Sequence, residues 1–266
     1  MGRGRMRSAA TNAVLPVVLV HGLVGPFADH RAVALLRPAA VLSPDLLGYG
    51  AVGDPSVIRI TIERQAEALL ASIDQAGFDT RVHLAGHSVG WVIAACFALA
   101  HSDRVASLTN VEGNFTLADA FWSSRLAQMD LARVQELLDT DRADPERWLT
   151  KAGVTVTPDR IRLAAEALAY QPASTLQSMA RAVVNYTARP QYERDLRQVF
   201  DGTPVHLVAG ARSRRDWDLP EWALSAAASY REVPDAGHMV MLEAPGAFGE
   251  VLRDVVVENR QPGREV

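Results

Sequence analysis

The chain of 266 residues is 48% apolar and 22% charged, with a formal net charge of −4 and no long run of one sign. That profile fits one soluble globular domain with room for a modest insertion, and it argues against a nucleic-acid partner. The single cysteine, Cys96, excludes an internal disulfide and a Cys/His zinc cluster.

Arg3, Arg5 and Arg7 precede an apolar run at 13–20 that could pass for an export signal, but no small-residue cleavage site follows. Pro16 interrupts the run, which is too short to cross a membrane. The expectation is a frayed basic arm, no export, no membrane contact and a cytoplasmic location. From there, strands are predicted at 17–20 and 39–42, a helix at 62–76, a strand at 82–85, a helix at 89–100 and a strand at 105–111. Strands at 205–209 and 230–233 follow, with helices at 222–228 and 245–257, and the polar tail 259–266 is expected to fray. Near-continuous apolar strands alternating with helices predict an α/β fold, a mainly parallel sheet flanked by helices on both faces. Between Glu112 and Thr203 no strand is predicted, but helical periodicity runs through 117–138, 158–169 and 176–186. A segment this long is read as a helical cap over the strand ends, giving a core of 1–112 and 203–266 and a cap of 113–202.

Chemistry concentrates at Gly86-His87-Ser88-Val89-Gly90, set between a predicted strand and a predicted helix. The glycines permit a sharp turn that lifts the serine hydroxyl clear of the backbone, whereas the plain alternative is a glycine-rich helix start. A serine hydroxyl is a weak nucleophile at neutral pH and needs a base. Of the seven histidines, His83 and His206 fall inside strands, His101 closes a helix, His87 adjoins the serine, and His21 and His30 lie early in the chain. His238 follows the last predicted strand in Asp235-Ala236-Gly237-His238-Met239, and it is the expected base.

In order, His21-Gly22, Asp45-Leu46-Leu47-Gly48-Tyr49-Gly50, the turn around Ser88, and Gly237-His238 resemble the α/β-hydrolase fold superfamily over nearly the whole chain. The resemblance implies a serine hydrolase with an oxyanion hole built from the backbone N–H groups of Leu23 and Val89. In the commonest version of that superfamily an acid stands where this chain has Ser213, so Asp216 and Asp218 are candidates only if the loop is longer than usual. Other branches, such as haloalkane dehalogenases and zearalenone-degrading lactone hydrolases, carry the acid after the sixth strand, where this chain has Glu112. Glu112 is therefore the first choice for the triad acid, beside the plainer reading of a hinge glutamate bound to backbone N–H groups. Serine at the turn argues against the carboxylate-nucleophile chemistry of dehalogenases and epoxide hydrolases. Two departures stand out: the N-terminal strands usual in the fold are shortened or missing, and Trp91 replaces the customary small residue after the turn.

Aromatic residues at helical spacing are mostly core, yet a cap over the strand ends also lines a pocket, and Phe115, Phe121, Trp122 and Met239 are the expected substrate contacts. These readings converge on a hydrophobic small-molecule ester, thioester or lactone, cleaved through an acyl-enzyme on Ser88 with no cofactor and no metal. The same triad also supports carbon–carbon bond hydrolysis, hydroxynitrile lysis, cofactor-free peroxide chemistry, or a biosynthetic cyclase or acyltransferase, and a non-catalytic ligand sensor would keep the same fold. The oligomeric state is left open.

Overall fold

A computed structural model describes residues 14–26, 29–51 and 59–259, so the expectations for the basic N-terminal arm and for the tail beyond Asn259 lie outside the described residues. Six strands form one sheet in the order β2-β1-β3-β4-β5-β6, and every pairing is parallel. They are β1 (Val17–Val20), β2 (Val41–Leu42), β3 (Val82–His87), β4 (Val105–Val111), β5 (Val205–Gly210) and β6 (Ser229–Val233). β1, β3, β4 and β5 are buried along their whole length, which is why they read as unbroken apolar runs, while the edge strand β6 exposes Arg231 and Glu232. β3 extends two residues past the predicted end, because Gly86 and His87 stay in register with Asn110 and Val111 of β4.

Alternate strand residues supply two cores. Val18, Leu84, Leu108 and Leu207 face α2 (Ile62–Gln75) and α3 (Val89–Ala100). Val17, Leu19, Ala85, Val111 and Val208 face the opposite layer, where α1 (His30–Leu35) packs on α12 (Pro245–Glu258) through Ala32, Phe248, Leu252 and Val256. α2 starts where the Thr61 side chain accepts from the Arg64 N–H, and it buries Ile62, Ala66, Leu69 and Ile73 along one stripe. α3 is apolar all round and buried over its first ten residues, as befits a helix covered on every side.

Between β4 and β5 the chain forms α4 (Phe121–Gln128), α5 (Leu131–Ala143), α6 (Pro145–Lys151), α7 (Pro158–Ala169), α8 (Ala173–Thr187) and α9 (Tyr192–Gly202). The periodic stretch 117–138 is two helices rather than one, since the Asp130 side chain caps a fresh start at the Arg133 N–H. α6 and α7 begin on capped prolines, with Asp144 and Thr157 accepting from backbone N–H groups. α4 and α5 lie against α8 and α6 lies against α7, whereas α9 packs on α3 and on α10 (Glu221–Ala226). The short helices α1, α6 and α11 (Val240–Glu243) and the longer α9 were not anticipated from periodicity.

Trp91 is wholly buried, with ring centroids 6.0 Å from Phe115 and 6.3 Å from Phe200 of α9. Space for it exists because Gly113 has no side chain: a Cβ there would overlap the Trp91 Cβ. Trp91→Ala should therefore cost about 3–5 kcal/mol of stability, the range for truncating a large buried aromatic. Urea unfolding followed by circular dichroism checks this, and a loss below about 1 kcal/mol would mean that the cavity collapses.

Candidate active site

The strand order reverses between β1 and β3, because β2 lies to one side of β1 and every later strand to the other. In open parallel sheets the crevice at such a reversal is where ligands collect. The loops leaving β1 and β3 carry Leu23 and Ser88 into that crevice. Ser88 has φ 53° and ψ −120°, a strained conformation fixed by its N–H donating to the Val111 carbonyl (3.0 Å) and its carbonyl accepting from Trp91 N–H (3.1 Å). The two glycines of the turn are required by close approach. A Cβ on Gly86 would come within 2.6 Å of the Gly90 carbonyl oxygen and the Trp91 nitrogen, and one on Gly90 would overlap the carbonyl oxygens of Val20 and His21.

Neither the Leu23 nor the Val89 backbone N–H donates to another group among the described residues. Val89 opens α3, so its N–H is one of the unpaired donors at a helix start. Leu23 is pinned by the buried Tyr49, whose hydroxyl donates to the Leu23 carbonyl (3.0 Å).

His238 follows β6 in a loop that turns through Asp235 at φ 57°. Its Nδ1 lies 2.9 Å from Glu112 Oε2, and since an ionised carboxylate only accepts, Nδ1 donates and Nε2 is left as the acceptor. Glu112 stands just beyond β4 at φ 44°, with its side chain 3% exposed. Its other oxygen, Oε1, accepts from the Gly210 N–H (2.6 Å) and the Ser213 hydroxyl (2.5 Å). Burial pushes this carboxyl up, but hydrogen bonds from His238, Ser213 and Gly210 outweigh that and hold it below its ordinary value.

Neither of the other two candidate acids is hydrogen-bonded to His238 among the described residues. Asp216 closes a short turn at Arg214–Asp216, and Asp218 accepts from the Thr116 hydroxyl (2.6 Å). Ser213 occupies the place where the resemblance puts an acid, and it donates to Glu112 instead. Among the remaining histidines, His83 and His206 pair with Ser107 and Ser229 at 2.8 Å each, His30 is exposed, and His101 ends α3. His21 is buried against the rings of Tyr49 and Tyr170, and burial lowers its pKa to about 4.

His87 is the contact that sequence reasoning missed. Its Nε2 donates to the His238 carbonyl (3.0 Å) and the two rings are 4.7 Å apart. Burial, reinforced by the neighbouring His238, holds His87 well below the usual histidine range and therefore neutral. A glycine-spaced turn made it look merely adjacent to the serine, and nothing local announced a partner so far along the chain.

Beside the turn lies a cleft lined by Gly22, His87, Trp148, Leu163, Met239 and Leu242 among others. Of the four expected substrate contacts, Met239 is among these lining residues. The other three expected contacts are not among the lining residues. Phe115 is 3% exposed and packs with Trp91, Trp217 and Trp222, so it is a core residue, drawn in by the space over Gly113. Phe121 is 77% exposed at the start of α4, and Trp122 is partly buried against the core. Trp148, on a helix that periodicity did not reveal, supplies the aromatic wall instead.

The chain belongs to the alpha/beta hydrolase family, whose model matches residues 17–251. It is 32% identical over 139 residues to a 2-hydroxy-6-oxo-2,4-heptadienoate hydrolase of Pseudomonas putida, a match covering 48% of this chain and 50% of that protein. It is 27% identical over 110 residues to Lipase 3 of a Moraxella species, covering 41% of this chain and 33% of the lipase. The chain thus matches half or less of the length of these two relatives. In fold it is similar to a carboxylesterase structure from the thaumarchaeon Nitrososphaera gargenis, with a TM-score of 0.72 and 17% identity over 94% of this chain and 93% of that one. No helix among the described residues is long and apolar enough to cross a membrane.

The depressed pKa of Glu112 makes a signed prediction about stability. A carboxylate whose folded-state pKa lies below its unfolded value stabilises the fold above the unfolded value, and that contribution is lost as pH falls through the folded value. Wild-type urea midpoints should therefore drop as pH is lowered from about 6 to about 3, and Glu112→Gln should flatten the drop. Parallel pH profiles for the two proteins would contradict the hydrogen-bond geometry.

Proposed function

We propose that this chain is a serine hydrolase in which Ser88 attacks the carbonyl carbon of an uncharged hydrophobic ester, thioester or lactone. His238 takes the serine proton as the bond forms, then protonates the leaving group, and Glu112 holds the imidazole in the donating tautomer and stabilises its protonated form. The tetrahedral oxyanion is met by the Leu23 and Val89 N–H groups, and water then releases the acyl group from Ser88. The observation that carries this reading is the Glu112 Oε2 to His238 Nδ1 hydrogen bond of 2.9 Å; Asp218 accepts from the Thr116 hydroxyl instead, and Asp216 makes no hydrogen bond to the imidazole among the described residues.

In this reading the cap expected over 113–202 narrows to α4 to α8, while α9 goes with the core because it packs chiefly on α3 and α10. The cleft lining supports a neutral substrate: it is mostly apolar, and its two acids are each paired with an arginine, Asp29 with Arg31 and Glu166 with Arg162. The Pseudomonas relative is named for a dienoate, a substrate that carries a carboxylate. The match to that relative still makes carbon–carbon bond hydrolysis on the same triad the second reading.

Two measurements test the proposal. Ser88→Ala should abolish nitrophenol release from p-nitrophenyl butyrate, and Glu112→Ala should slow it roughly 10³- to 10⁴-fold, with partial recovery on adding Ser213→Asp, which puts a carboxylate next to the space that Glu112 vacates. Loss of turnover on Asp216→Ala alone, with Glu112→Ala active, would transfer the acid role to Asp216. Secondly, p-nitrophenyl butyrate should be turned over with a kcat/KM at least about tenfold above that of p-nitrophenyl hemisuccinate, because the latter brings an unpaired negative charge into the cleft. The reverse preference would remove the case for a neutral ester.

A further inference from the structure

We propose that Glu243, held by Arg160 and Arg212, is a positioning residue for His238, and that the two arginines make the alignment of the base depend on the loop joining α6 to α7. This rests on the reading of His238 as the base. It starts from how the backbone before the imidazole is held. The Ala236 carbonyl accepts from Arg212 N–H (2.9 Å), the Gly237 N–H donates to Glu243 Oε1 (2.8 Å), and the His238 carbonyl accepts from His87 (3.0 Å). Three successive residues are thus tied by groups from β3, from the loop after β5 and from α11.

Glu243 is the least expected of these. Its side chain is 2% exposed, and its second oxygen forms an ion pair with the Arg212 guanidinium. A water or a neutral amide would satisfy one backbone N–H. A buried carboxylate instead needs a partner charge, and that partner extends the network outward. Arg212 also donates through Nη1 to the Gly153 carbonyl (2.9 Å). Arg160 repeats the arrangement from the other side, donating to the Glu243 carbonyl (2.6 Å) and to the Thr155 carbonyl (2.8 Å).

Both arginines therefore bridge the same two segments: the end of α11, which buttresses the His238 loop, and the loop between α6 and α7. Those two helices supply Trp148, Leu163 and Ala164 to the cleft. A guanidinium can make such a bridge because it presents five donors in a rigid plane. A substrate that displaces the α6 and α7 walls thus pulls, through two arginines, on the residue that holds Gly237.

The test uses the full chain with p-nitrophenyl butyrate. Glu243→Ala should lower kcat by about 10- to 100-fold, the scale of a displaced catalytic group, and leave KM within about twofold. The Arg160→Met/Arg212→Met double variant should lower kcat roughly tenfold, and Glu243→Gln, which keeps an acceptor for Gly237, should fall between it and wild type. In a His238→Ala background, adding Glu243→Ala should cost less than about twofold more, because its effect passes through the imidazole. Wild-type kcat in both Glu243→Ala and the double arginine variant would overturn the proposal, as would an equal loss with and without His238. If either variant fails to fold, Glu243→Gln combined with Arg160→Met and Arg212→Met decides, since it removes both bridges without leaving a buried unpaired charge, and wild-type kcat in it would overturn the proposal. A slow His238→Ala enzyme beside a fast Glu243→Ala enzyme sinks the positioning role alone; a His238→Ala enzyme as fast as wild type sinks the base assignment.

Discussion

One carboxylate gathers the site. Glu112 lies almost out of contact with water, and an ionised group there is tolerable only when its oxygens are filled by donors. The donors come from three places: the Gly210 N–H at the end of β5, the Ser213 hydroxyl in the loop beyond it, and the imidazole of His238 from the loop after β6. Their convergence depends on strand register. Val111 pairs with Val208 and Gly210 with Val233, so the ends of three neighbouring parallel strands arrive level with one another. Slipping any pair by one residue would leave the carboxylate buried with an unfilled oxygen.

Backbone strain sits at the same places. Ser88 and Glu112 both adopt positive φ, a conformation that side-chain-bearing residues rarely take. They follow adjacent strands, and each is tied back by its own N–H, Ser88 to Val111 and Glu112 to Val208. The sheet thus holds two strained residues with hydrogen bonds that continue its own ladder. Such strain persists where surrounding structure over-determines the geometry, and here it turns both side chains out of the strand direction into one crevice.

Much of this was legible in the chain. Four long buried strands announced themselves as apolar runs, and the serine turn and His238 could be placed by their position relative to those strands. Glu112 was legible as the residue just after β4, although only the fold shows that Ser213 reaches it. What stayed hidden depended on contacts across long stretches of sequence. His87 bonds to a carbonyl more than half the chain away, and Glu243 lies in a four-residue helix too short to show periodicity. Phe115 looked like a pocket residue because helical spacing does not reveal whether a ring faces a cleft or a neighbour. Its true environment was decided by Gly113, whose missing side chain makes room for Trp91 and the aromatic cluster around it.

The position of Glu112 divides the labour between two loops. Because the acid stands just beyond β4, directly before the long helical segment, the end of β5 and the turn after it contribute only a backbone N–H and a hydroxyl to it. That turn is therefore free to lengthen or change sequence beyond Ser213, so long as Gly210, Arg212 and Ser213 stay put. The first residues after Glu112 have no such freedom, since Gly113 lies under Trp91 and its carbonyl accepts from the Trp217 indole. Variation in what this scaffold accepts would accordingly be expected deeper in the helical segment, beyond a short stem that must be inherited unchanged.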